Sequence, residues 1–205
     1  MTPALLTDRI AGRLAQQGLV VSDSSVAALA RYVEHLSHWN RRVNLTAIPL
    51  GPPLSNEAID KLLVEPILAT TLVDASPRTW FDLGSGSGSP AIPLRIVWRA
   101  GSLTMVESRE RKGAFLREVV RQLNLSATAV ATCRFEELPA SGSVDVVTLR
   151  AVRIDAGLIS LLSRLLSPSG LVLAFGGSID AGGFTLAGGA LLPDGSELRL
   201  FRRGR

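Results

Sequence analysis

From Arg78 onward, short apolar segments alternate with helical ones, and this rhythm restricts the possible folds more than any other feature of the chain. TWFDL (79–83), SLTMVE (102–107), ATAVAT (127–132), VDVVTL (144–149) and GLVLAF (170–175) read as strands. Helical patterns occupy 90–99, 110–123 and 154–166 between them. Connections this long do not close hairpins. They demand crossovers between parallel strands, which predicts a Rossmann-like α/β fold: a mostly parallel twisted sheet with helices on both faces. Residues 176–196 are rich in glycine and offer hairpin turns but little core, and ELRLFRRGR reads as a last strand followed by a basic tail.

The first third is different. Leu5, Leu6, Ile10 and Leu14 recur at helical spacing, and Ser22-Asp23-Ser24-Ser25 offers N-caps for a longer helix striped by Val26, Leu29, Val33, Leu36 and Val43. That helix should stop before Ile48-Pro49. A third helix is predicted over 55–73, kinked at Pro66. The reading is therefore a helical segment over 1–74 packed on a sheet-containing core over 75–205. With 46% apolar and 20% charged residues the chain can fill that core. No apolar run approaches the ~18–20 residues of a membrane helix, and Asp8 and Arg9 interrupt the N-terminal apolar stretch. Cys133 is the only cysteine, which excludes a disulfide scaffold and cysteine-rich zinc sites and fits the cytoplasm. The net charge of +4 is carried almost wholly by arginine, a balance that suits phosphate-bearing partners and equally an arginine-rich codon usage.

The segment Phe81-Asp82-Leu83-Gly84-Ser85-Gly86-Ser87-Gly88-Ser89-Pro90 links the first strand to a helix. Glycines there let the backbone turn sharply and approach a ligand at the carboxyl ends of the strands. Glu107, at the end of the second strand, is placed to accept both hydroxyls of an adenosine ribose. Two adenosine ligands remain open on this pattern. Gly86-x-Gly88-x-x-Ala91 satisfies the dinucleotide form G-x-G-x-x-G/A. Asp82, an anion just before the turn, instead suits a cationic, amino-bearing ligand such as S-adenosylmethionine and opposes a pyrophosphate.

Five segments in order resemble the bacterial 16S ribosomal RNA guanine-N7 methyltransferases, the glucose-inhibited division protein B family. Trp39-Asn40-Arg41-Arg42-Val43-Asn44-Leu45-Thr46 is similar to its W-N-x-x-x-N-L-T, and Asp82 to Leu94 to its extended glycine motif ending in P-G-I-P-L. Glu107-Ser108 with Arg111-Lys112 and Phe115-Leu116 follows E-S-x-x-K-K-x-x-F-L. Arg134-Phe135-Glu136-Glu137 resembles R-A-E-E, and Arg150-Ala151 the R-A after the fourth strand. The resemblance implies a class I S-adenosylmethionine-dependent methyltransferase that acts on N7 of a guanine in 16S rRNA, as naked RNA or in the 30S subunit, as a cytoplasmic monomer. It implies that Gly84 and Ser89 frame the cofactor and Glu107 holds its ribose; Gly86 in the glycine turn and the anion Asp82 before it complete the expected cofactor-binding set. Phe135 and Glu136 would border the adenine, and Arg150 would orient groups where the methyl meets the base. The alternative for Arg150 is a structural pair with Asp145 or another carboxylate.

The chain departs from the family pattern at Asn56-Glu57, where Arg-His is usual, at Ala91 in place of glycine, and at Phe175-Gly176-Gly177, where Lys-Gly is usual. These departures admit a relative that binds cofactor or RNA without catalysis, or one with a different substrate. A nicotinamide oxidoreductase is the third alternative. His35 and His38 have no partners at metal-ligand spacing, and Ser85, Ser87 and Ser89 lack a His–Asp pattern for nucleophilic catalysis. Trp39 reads as core, Asn44 as a helix cap or an RNA contact. Arg109, Arg111, Lys112, Arg117 and Arg121 read as a solvated face paired with Glu110 and Glu118. Arg199, Arg202, Arg203 and Arg205 read as a phosphate-binding tail.

Overall fold

Seven strands form one sheet in the order β3-β2-β1-β4-β5-β7-β6 in the computed structural model, which describes residues 3–73, 77–99, 101–139, 141–180 and 182–204. The strands are β1 (Thr79–Leu83), β2 (Ser102–Val106), β3 (Thr128–Ala131), β4 (Val144–Arg150), β5 (Leu166–Phe175), β6 (Phe184–Leu191) and β7 (Glu197–Arg203). The first five pair in parallel, while β7 runs antiparallel between β5 and β6.

The helices are α1 (Pro3–Gln16), α2 (Asp23–Val43), α3 (Asn56–Ile59), α4 (Glu65–Leu68), α5 (Ala91–Val97), α6 (Glu110–Gln122) and α7 (Ala156–Leu165). On α2, Val26, Leu29, Val33 and Leu36 turn inward as their spacing requires, and Ser22 caps the start by accepting the amide of Ser25. One sheet face, carrying Trp80, Leu103 and Val146, packs with α5, α6 and the N-terminal helices in a single apolar cluster; α7 supplies Leu158, Leu161, Leu162 and Leu165 to the opposite face. No helix among the described residues is long and apolar enough to cross a membrane.

Three expectations need refinement or correction. The predicted helix over 55–73 is present as an unbroken helical run over Asn56–Thr71, but its pitch changes along the way: α3, a π-helical turn Asp60–Val64, α4, and a 3-10 turn Ala69–Thr71. Pro66 accounts for the change of pitch ahead of it. Pro66 has no N–H, so neither Leu62 O, its partner in an α-helix, nor Lys61 O, its partner in a π-helix, can be bonded from position 66. Secondly, β5 begins four residues before the expected 170, and the glycine-rich stretch supplies the whole edge strand β6. That strand is mostly exposed, so it carries little hydrophobic signal. Thirdly, Arg199, Arg202 and Arg203 lie within β7 rather than in a tail; Arg203 donates to Leu166 O, and Arg199 donates to Gly177 O and pairs with Glu197. Arg205 lies outside the described residues.

Candidate functional site

Strands β1 and β4 are neighbours, but β1 leads to β2 on one side and β4 to β5 on the other. An open α/β sheet binds ligands at the carboxyl ends of such a pair. A cleft of about 420 Å³ opens there. Its walls include Gly84, Ser85, Gly86, Ser87 and Ser89 from the turn after β1, Glu107 after β2, Arg150 at the end of β4, and Leu45, Thr46 and Ile48 after α2. A smaller cavity of about 110 Å³ is lined by Gly84, Glu107, Cys133, Arg134, Phe135 and Glu136. Gly84 and Glu107 line both, so seven of the eight predicted cofactor residues surround two adjoining spaces.

The turn is held by its own backbone. Gly84 and Ser85 both donate their amides to Val106 O, at 2.9 and 3.0 Å. Gly84 (φ +77°) and Gly88 (φ +90°) adopt left-handed conformations, and a Cβ at Gly88 would lie 2.4 Å from Ile92 Cδ1. Glu107, buried at 7% exposure, accepts Gly86 N through Oε2 and Arg109 N through Oε1, each at 2.9 Å. These two bonds fix the carboxylate and leave each oxygen a further lone pair for a ligand hydroxyl.

Asp82, the eighth predicted residue, lines neither space. It is buried at 1% exposure, on the same strand face as Trp80. Its Oδ1 accepts the hydroxyl of Thr148, which in turn accepts Trp80 Nε1 at 3.2 Å. Its Oδ2 is buried without a hydrogen-bond partner. Burial, resisted by the Ser85 and Thr148 hydroxyls and by Arg150, pushes its pKa up to about 6. Asp82 is thus placed to act on the cleft by its charge rather than by contact.

Arg150 reaches the cleft already engaged. Its Nη1 donates to Lys61 O and, at 3.1 Å, to Ser89 Oγ; its Nη2 pairs with Glu65; and its guanidinium lies 4.6 Å from the centre of the Phe175 ring. Ser89 Oγ in turn donates to Leu62 O at 3.0 Å. The two carbonyls that Pro66 cannot satisfy, Lys61 O and Leu62 O, are therefore the ones taken by Arg150 and Ser89. Of the alternatives for Arg150, the pairing with Asp145 is not made, since Asp145 accepts the amides of Arg78 and Thr79; the carboxylate partner is Glu65.

The basic helix divides. Arg117 pairs with Glu110 and Arg121 with Glu118, as a solvated face would, but Arg109 and Lys112 border the cleft. No cluster of metal-ligating side chains occurs among the described residues.

The family model for GidB, the rRNA small subunit methyltransferase G, matches residues 25–184. The chain belongs to this family. It is 38% identical over 177 residues to ribosomal RNA small subunit methyltransferase G of Stenotrophomonas maltophilia (strain K279a), covering 85% of this chain and 79% of that one. It is 35% identical over 160 residues to the enzyme of that name from Nitratidesulfovibrio vulgaris (strain DP4), covering 77% and 73%. In fold it is similar to a SAM-dependent methyltransferase from Aquifex aeolicus, with TM-score 0.59 and 14% identity over 82% of this chain and 97% of that one. A second solved structure of like fold is M. jannaschii TYW2 in complex with AdoMet, with TM-score 0.52 and 12% identity over 68% and 74%.

The N-terminal motif that signals the family is a piece of site architecture. Asn44 ends α2 in the left-handed conformation (φ 53°, ψ 64°), while Asn40 Oδ1 accepts Leu45 N and Thr46 N at 2.7 and 2.9 Å. Asn40 thereby shapes the loop that walls the cleft, and Trp39 packs on Phe115 of α6 with ring centres 5.8 Å apart. Tyr32, missed in the sequence, donates its buried hydroxyl to Ser87 O at 2.9 Å and ties α2 to the glycine turn. Replacing Tyr32 by Phe is expected to cost about 1 kcal/mol of stability and to weaken cofactor binding by about threefold. Urea unfolding and calorimetric titration check both; an unaltered affinity would show that the turn keeps its shape without this tie.

Proposed function

We propose that the protein transfers a methyl group from S-adenosylmethionine to N7 of a guanine in 16S ribosomal RNA, as a cytoplasmic monomer. The observation that carries this reading is the position of Glu107, fixed by two backbone amides between the two spaces at the carboxyl ends of the sheet. A ribose held by Glu107 would leave Phe135 and Glu136, lining the smaller space, to border the base, and Ser87, Ser89 and Arg150, lining the larger one, to border the rest of the cofactor. A dinucleotide fits less well. The buried anion Asp82 lies behind the turn that its pyrophosphate would have to approach.

When bound, S-adenosylmethionine supplies a methyl group on a positively charged sulfur. Guanine N7 offers an unprotonated lone pair in the plane of the ring, so no residue need remove a proton. What the chain contributes is position and electrostatics. Gly84 and Gly86, which line the cleft, would border the nucleoside, Glu107 would accept its ribose hydroxyls, and Ser89 and Arg150 would hold the wall on the methyl-bearing side. The exposed Arg109 and the half-buried Lys112, both bordering the cleft, fit RNA phosphates.

The test is transfer of labelled methyl groups to 30S subunits and to naked 16S rRNA from cells lacking this modification. N7-methylguanine is then located by reduction and aniline cleavage of the chain. Label at a single aniline-sensitive guanine is expected. Cofactor binding with no transfer to either RNA would favour a non-catalytic relative, and label elsewhere would assign a different substrate.

A further inference from the structure

The cleft holds an excess of positive charge. Among its lining residues Arg109, Lys112 and Arg150 are cations and Glu107 is the one carboxylate. Methyl transfer begins with a cation on sulfur and ends with a cation on the guanine ring, so an unbalanced guanidinium in the wall would oppose both. The balance comes from behind the wall. Glu65, at 3% exposure, pairs with Arg150 through Oε2, while its Oε1 is buried with no hydrogen-bond partner. A buried carboxylate left half satisfied is costly for the fold alone, since burial disfavours the charged form. It is useful where a neighbouring positive charge needs to be cancelled. The geometry points to Glu65 as a positioning residue that neutralises Arg150, so that the cleft accepts a sulfonium in preference to an uncharged sulfur. This rests on the proposed seat of S-adenosylmethionine over Glu107.

S-adenosylmethionine and S-adenosylhomocysteine differ by one methyl group and one positive charge, so the ratio of their affinities reads the charge balance directly. Glu65→Gln keeps the size and the hydrogen bond to Arg150 but removes the charge. It is expected to weaken binding of S-adenosylmethionine by about tenfold, with a change of less than about twofold for S-adenosylhomocysteine. The double variant Glu65→Gln/Arg150→Gln, which removes both charges, should restore the wild-type ratio. If Glu65→Gln does not give a cooperative melt, Glu65→Ala reads the same ratio with space for water beside Arg150. Equal weakening of both ligands, or no change in either, would make Glu65 merely structural and overturn the inference while leaving the cofactor reading intact. Wild-type protein that binds neither ligand would overturn both.

Discussion

Replacing Glu107 by alanine is expected to weaken binding of both S-adenosylmethionine and S-adenosylhomocysteine by at least about a hundredfold. The carboxylate has two tasks in one position. Its oxygens accept Gly86 N and Arg109 N, which set the turn, and the residue lines both cavities, so that each oxygen has acceptor capacity left for a ligand. A charge-assisted hydrogen bond contributes about 1.5–3 kcal/mol, and two ribose hydroxyls would lose theirs together. Glu107→Gln retains one acceptor oxygen, so a loss of only about tenfold is expected. The fold should survive both changes, because the turn is also tied by Gly84 N and Ser85 N to Val106 O. Calorimetric titration with S-adenosylhomocysteine, alongside a thermal melt of the free protein, separates the effects. An alanine variant with wild-type affinity would remove Glu107 from the site and take the proposed ribose position with it.

Glu107 and the glycine turn were legible because they obey local rules: glycine where left-handed backbone is needed, and a carboxylate at a strand's end. The strand–helix alternation fixed the parallel part of the sheet for the same reason. The orientation of Asp82 was present but unused. In TWFDL, alternate residues share a face, and a tryptophan two residues before Asp82 marks that face as core. Glu65 was invisible to motif reading, since its role depends on Arg150, 85 residues away. Its neighbour carried a signal. A proline inside an apolar helical pattern frees carbonyls that something must satisfy, and here a guanidinium and a serine hydroxyl do so. The edge strand β6 escaped notice because Gly188, Gly189 and Ala190 provide neither β-branched side chains nor a buried face. Two of the departures from the family pattern differ in where they lie. Asn56 is exposed and bonded to Arg9, away from the cleft, whereas Phe175 meets Arg150 directly. The consequences for chemistry therefore concentrate around Arg150.

The same environment makes the free protein sensitive to pH. The pKa of Asp82 in the fold is about 6, above the ordinary aspartate value of 3.8, because burial penalises its charged form. A carboxyl raised in this way favours the folded state while protonated. Its contribution is complete below about pH 3.8 and is lost as the pH rises through about 6. One pKa unit corresponds to about 1.4 kcal/mol, so this group alone is expected to remove up to about 3 kcal/mol across that window. Asp82→Asn cannot ionise and should show no such loss. The stability difference between wild type and Asp82→Asn, measured by urea unfolding at fixed pH values, should therefore shift against the wild type from pH 4 to 6 and level off above. A flat difference would mean that water or local opening already solvates Asp82. Binding should work in the opposite sense. If Asp82 serves as a buried counter-charge to a cationic ligand, then S-adenosylmethionine binds the ionised form better, lowers its pKa and expels a proton. Affinity should consequently rise with pH through about 6 in the wild type and stay level in Asp82→Asn. Loss of stability and gain of affinity over one pH interval would follow from a single carboxylate, held uncomfortably in the fold and relieved by its ligand.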